Sequence, residues 1–180
     1  METFTPEKDI IEDKDYLKRR SESLSSLDLE KIDMPIRPLI ESINSLDHCF
    51  TLQSCWGHFI YKKGQADDNL DYLEEGHDPN SRVLYRIAYI ALCLKDCSKG
   101  RDFLEKMKVI GDINMDFIQF GCADWFWKRY PNSFVLQVEP YRYRYKDSIE
   151  LSYSEALDVQ KVRKEFFFRL RAVMAESLMS

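Results

Sequence analysis

Cys55 and His58 stand three residues apart across a glycine, in the run Gln53-Ser54-Cys55-Trp56-Gly57-His58. A thiol and an imidazole at that spacing can approach each other at the exposed end of a sheet. Such a pair can ligate a metal, or the imidazole can activate the thiol as a nucleophile. Ser54, Cys55 and His58 are therefore the candidate catalytic residues. The bland alternative is a hairpin corner with a structural cysteine, since cysteine is among the most buried residue types.

All three histidines, His48, His58 and His77, fall within 30 residues and beside Cys49 and Cys55. A zinc or other soft divalent ion held by Cys55 and His58 with His48 or His77 is the metal reading. No second Cys-x-x-Cys or His-x-x-x-His completes such a pattern. A third feature is Tyr141-Arg142-Tyr143-Arg144-Tyr145-Lys146, read as a strand with tyrosines on one face and cations on the other. Arg142, Tyr143, Arg144 and Lys146 are the candidate nucleic-acid contacts, aromatics for stacking and cations for phosphate. An edge strand whose cations deter pairing would carry the same letters.

Around these residues the pattern predicts α+β: one sheet of about five strands, mixed or antiparallel, with helices against it. Residues 1–33 read as an N-terminal surface helix, opened by Thr5-Pro6 and running to about Ser23, followed by a connection. Residues 34–180 read as the compact domain. In it a helix over 36–46 precedes the strand Phe50–Ser54, and His58–Lys62 reads as its returning partner. Residues 64–81 read as an acidic excursion or short helix. Val83–Leu94, apolar on both faces, reads as one central strand. Ser98–Val109 reads as a helix ended by Gly111, and strands follow at Met115–Phe120 and Ser133–Tyr145. Ser152-x-x-Glu155 is a capping box for the last helix, whose stripe is Val159, Val162, Phe166, Leu170 and Val173. Phe166-Phe167-Phe168 covers two sides of that helix, so Phe167 or Phe168 must meet a second internal layer or another copy of the chain. The Asp124-Trp125-Phe126-Trp127 patch has no assignable local structure.

Length and composition bound the rest. The chain has 180 residues, 44% hydrophobic and 32% charged, which suits one soluble domain with a sizeable core. Its longest apolar run, Ile87–Leu94, is far short of the roughly 20 residues a membrane helix needs. Five cysteines, thinly spread, and no secretory signal point to reduced thiols in the cytoplasm. There is no phosphate-cradling glycine loop, which excludes a dinucleotide enzyme of the usual kind and a P-loop NTPase. The net charge of −5 is uneven: residues 67–78 carry six acids and no Lys or Arg, while residues 128–171 carry ten Lys or Arg against six acids. A basic face toward RNA and a solvated, salt-bridged surface are both consistent with that.

From Ile36 to His58 the sequence resembles the tRNA wybutosine-synthesis methyltransferases (the third enzyme of that pathway) and their archaeal relatives. The resemblance lies in a helix followed by a strand ending in Ser-Cys and then glycine, here Ser54-Cys55-Trp56-Gly57. The downstream order of strand, helix, strand and long helix is also similar. The resemblance implies an α+β fold, S-adenosylmethionine as methyl donor and a tRNA purine as substrate. His58 stands where the family has arginine after glycine, and the chain ends at Ser180, before the family's further basic segment. Three functions follow as expectations: a nucleotide- or RNA-modifying enzyme, a metal-binding protein or metal-assisted enzyme, and a non-catalytic binding or oligomerising domain.

Overall fold

The computed structural model describes residues 5–179, except 63, 67–69, 71, 75–77, 79–80, 124–129, 144–145 and 147. His77, Arg144, the 124–127 patch and most acids of the 67–78 run lie outside the described residues.

The fold is α+β, built among the described residues from seven strands in two antiparallel sheets and four α-helices. In chain order these are α1 (Tyr16–Ser25), α2 (Arg37–Ser45), β1 (Cys49–Cys55), β2 (His58–Ile60), β3 (Arg82–Arg86), β4 (Ala88–Leu94), α3 (Ser98–Asp112), β5 (Ile118–Cys122), β6 (Ser133–Val138), β7 (Ser148–Ser152) and α4 (Tyr153–Met179). The larger sheet runs β1-β4-β6-β5 and the smaller β2-β3-β7. No helix among the described residues is long and apolar enough to cross a membrane.

The apolar run 83–94 is not one strand. Ile87 divides it, so β3 joins the small sheet and β4 the large one. β4 is the central, fully covered part of the expectation. β3 instead alternates exposed and buried residues, one face wet. The same division happens between β1 and β2. They are not a hairpin: β1 pairs with β4, and β2 pairs with β3. Trp56-Gly57 therefore carries the chain from one sheet to the other, directly beside the passage at Ile87. A Cβ on Gly57 would lie 2.8 Å from the Cβ of Ala88, and Gly57 has φ +87°. Only glycine meets both demands without strain.

One face of the large sheet (Ile90, Leu92, Phe134, Leu136, Val138, Ile118) packs with Ile40 and Ile43 of α2, Phe103 and Met107 of α3, and Phe166 and Leu170 of α4 in a single buried core. α1 lies against β1 through Tyr16 and Phe50, ring centroids 5.5 Å apart. It begins at Tyr16, later than Thr5-Pro6 suggests, because Thr5 instead bridges to Cys122 at the edge of β5. α3 continues past Gly111, whose missing Cβ admits Phe120.

The stretch 133–145 leaves strand geometry after Val138. Tyr141–Tyr143 is a 3-10 turn, and β7 forms later at Ser148–Ser152. In α4 the capping box is present, with Ser152 Oγ accepting from the Glu155 N–H at 3.3 Å. Its buried stripe is Ala156, Val159, Arg163, Phe166, Leu170 and Met174, with Val162 and Val173 at the margin. Phe167 is buried and Phe168 is 61% exposed.

Candidate functional site

The passage between sheets sets the site. Cys55 ends β1 and His58 begins β2, so the turn holds both side chains at the seam. Asp33 joins them from the segment before α2. Aspartate before Met34-Pro35 occupies a helix-cap position, yet its side chain makes no cap hydrogen bond. Its carboxylate reaches across the seam instead, where Oδ2 accepts from the Trp56 backbone N–H at 2.7 Å and lies 3.3 Å from His58 Nε2. One donor atom from each of Asp33, Cys55 and His58 lies within 4.8 Å of the others.

Electrostatics make this a charged pair beside a thiol. The hydrogen bond to Asp33, followed by that to Cys55, raises His58 to a pKa of about 10 against opposing burial, so it is an imidazolium at neutral pH. Burial alone would raise Asp33. The hydrogen bonds from His58 and Trp56 outweigh it, and its pKa falls below the ordinary value.

Arg163 of α4 lies under the same turn, 1% exposed. Its Nη1 donates to the Gly57 carbonyl at 2.6 Å. Its guanidinium carbon lies 4.7 Å from the Trp56 ring centroid, 4.8 Å from Phe59 and 5.6 Å from Tyr72. Phe167 stacks on Trp56, with ring centroids 4.6 Å apart. This is the second internal layer that the Phe166–Phe168 run requires. Four buried donor nitrogens here have no hydrogen-bond partner among the described residues: Trp56 Nε1, His58 Nδ1, and Nε and Nη2 of Arg163.

Among the described residues, the structure thus joins Cys55 and His58 but not the other candidates. Ser54 precedes Cys55 on β1, opposite Ile90, and alternation sends its side chain to the other face. His48 stands before the far end of β1, its ring 6.0 Å from Phe103, and is no part of the metal-capable group. Arg142 pairs with Glu155 and lies over the Tyr143 ring at 4.8 Å, so the described part, Tyr141–Tyr143, forms no strand with separate faces. Lys146 is exposed. Asp33 and Arg163 were the residues missed by sequence reasoning. The signals were an aspartate at a cap position and an arginine in phase with the apolar stripe of α4.

No family model matches the chain, and no curated protein does. Its fold is similar to that of the PH1069 protein from Pyrococcus horikoshii, with a TM-score of 0.51 at 15% identity, covering 89% of this chain and 96% of that one. A second structure of PH1069, from Pyrococcus horikoshii OT3, gives 0.48 at 14% identity over 91% and 94%. A hypothetical protein from Aeropyrum pernix gives 0.42 at 15% identity over 81% and 96%. At these identities the likeness concerns the fold alone.

Proposed function

We propose that the chain is a tRNA- or nucleotide-modifying methyltransferase whose reacting groups meet at the Cys55–His58 turn. The observation carrying this reading is the assembly of Asp33, Cys55 and His58 around the motif that bears the family resemblance. S-adenosylmethionine supplies a methyl group on a cationic sulfur. The residues suit such a donor: an ionised carboxylate for its positive charge, and unpartnered N–H groups on Trp56 and His58 for its acceptors. Asp33 is the acceptor for the proton a purine nitrogen gives up on methylation. His58, held as a cation, donates rather than accepts and orients the Asp33 carboxylate. The Cys55 thiol lines the reacting side. Arg142 and Lys146 remain the proposed contacts to the RNA backbone, through charge rather than through a stacking strand.

Calorimetric titration of S-adenosylmethionine tests the reading. Saturable binding that weakens about tenfold or more in Asp33→Asn is expected, as for loss of a charge-assisted contact. A wild-type titration without saturable heat overturns it.

The spacing of Asp33, Cys55 and His58 also favours a second reading, a zinc-class ion in the same position. Such an ion must displace the proton shared by His58 and Asp33, and it would sit near the Arg163 charge. Elemental analysis of protein purified without chelator or a His-tag separates the two. One equivalent of zinc that is lost in Cys55→Ala supports the ion, and a blank removes it.

A further inference from the structure

Arginine stays protonated at any accessible pH, so a buried guanidinium needs partners for its donors or an opposing charge. Arg163 has neither in full. Aromatic rings of Trp56, Phe59 and Tyr72 stand at cation–π distances, and the Nη1 donor is satisfied by Gly57. Nε and Nη2 are left over, both buried and both without a partner among the described residues. These two N–H groups point the same way and form the side-on fork of the guanidinium. That fork matches the two oxygens of a carboxylate or phosphate.

The surrounding charge favours the same kind of occupant. Asp33 is the nearby anion, but it is already engaged by His58 and the Trp56 N–H. Arg163 itself is a buried positive charge with two unpartnered donor nitrogens. A metal ion would add to that charge, whereas an oxyanion opposes it. Tyr72, whose ring stands 5.6 Å from the guanidinium carbon, is 48% exposed.

We infer that the Nε/Nη2 fork of Arg163 binds an oxyanion of the ligand within the aromatic surround of Trp56, Phe59 and Tyr72. The inference rests on the proposed function for its choice of ligand, but not for its geometry. Two sources share the chemistry: the α-carboxylate of an amino-acid-bearing methyl donor, and the phosphate of a nucleotide.

The test follows the Arg163 side-chain Nε–H resonance in nitrogen-15 NMR, assigned by its disappearance in Arg163→Lys. Inorganic phosphate and L-methionine are titrated separately at ionic strength held constant with sodium chloride. Saturable movement of that resonance with either probe is expected, and the responding probe identifies the source. The same probe should bind about tenfold or more weakly to Arg163→Lys, which keeps the charge but loses the fork. A resonance unmoved by both probes overturns the inference, as does equal affinity in Arg163→Lys. Oxyanion binding without methyl-donor binding would leave the fork standing and remove the methyltransferase. Where L-methionine is the responding probe, methyl-donor binding unchanged in Arg163→Lys would do the reverse.

Discussion

His58 Nε2 lies 3.3 Å from the Asp33 carboxylate, joining the first residue of β2 to the segment that opens α2. Both partners gain from it, in opposite directions on the pH scale. His58 rises from 6.5 to about 10, so its contribution to stability is complete below pH 6.5 and is lost as pH rises through about 10. Asp33 falls below 3.8, so its contribution is complete above that value and is lost as pH falls through its lowered pKa. The stability difference between wild type and Asp33→Asn should therefore be largest between pH 3.8 and 6.5 and shrink toward pH 10. Denaturant titrations at several pH values measure it. In parallel, proton NMR should show a His58 ring that does not titrate between about pH 5 and 8 in wild type but does in Asp33→Asn. A wild-type ring titrating near 6.5 would refute the pairing.

Gly57 is where the two sheet-to-sheet passages touch. Gly57→Ala should destabilise by about 2–4 kcal/mol, combining a left-handed backbone with the clash on Ala88. Adding Ala88→Gly should recover the steric part and leave the backbone part. Thermal unfolding of the three variants decides between that pattern and simple additivity, which would show that the passages do not meet.

Phe167 and Phe168 are neighbours with opposite roles. Phe167→Ala removes the ring stacked on Trp56 and should cost about 3–5 kcal/mol. Phe168→Ser, at an exposed position, should change stability by no more than about 0.5 kcal/mol. Chemical denaturation measures both, and a large loss in Phe168→Ser would contradict this packing.

Much of the architecture is written in local patterns. α2, α3 and α4 announce themselves through periodicity and caps, and β1 through alternation. What local patterns cannot show is which sheet a strand joins. Val83–Leu94 looks continuous because both of its halves are apolar, and only pairing with β7 or β6 tells them apart. The Trp56-Gly57 corner is legible as a turn, but whether a turn closes a hairpin or changes sheets depends on pairing with β3 and β4, far along the chain. The site divides likewise. Cys55 and His58 are close in sequence, while Asp33 and Arg163 reach them through tertiary packing alone. Arg163 did leave a trace, as a cation on a buried stripe, and Asp33 as an acid before Met34-Pro35. Tyr141–Tyr143 misleads because alternating letters suit a strand equally well as a 3-10 turn held by the Arg142–Glu155 pair.

The most direct measurement is transfer of a radiolabelled methyl group from S-adenosylmethionine to total tRNA, using tRNA from cells that lack this protein and tRNA from cells that have it. Label should enter only the former, and the rate should fall at least about a hundredfold in Asp33→Asn, as for removal of a proton-accepting group. Equal labelling of both tRNA pools, none in either, or full activity in folded Asp33→Asn would contradict a methyltransferase site at the Cys55–His58 turn.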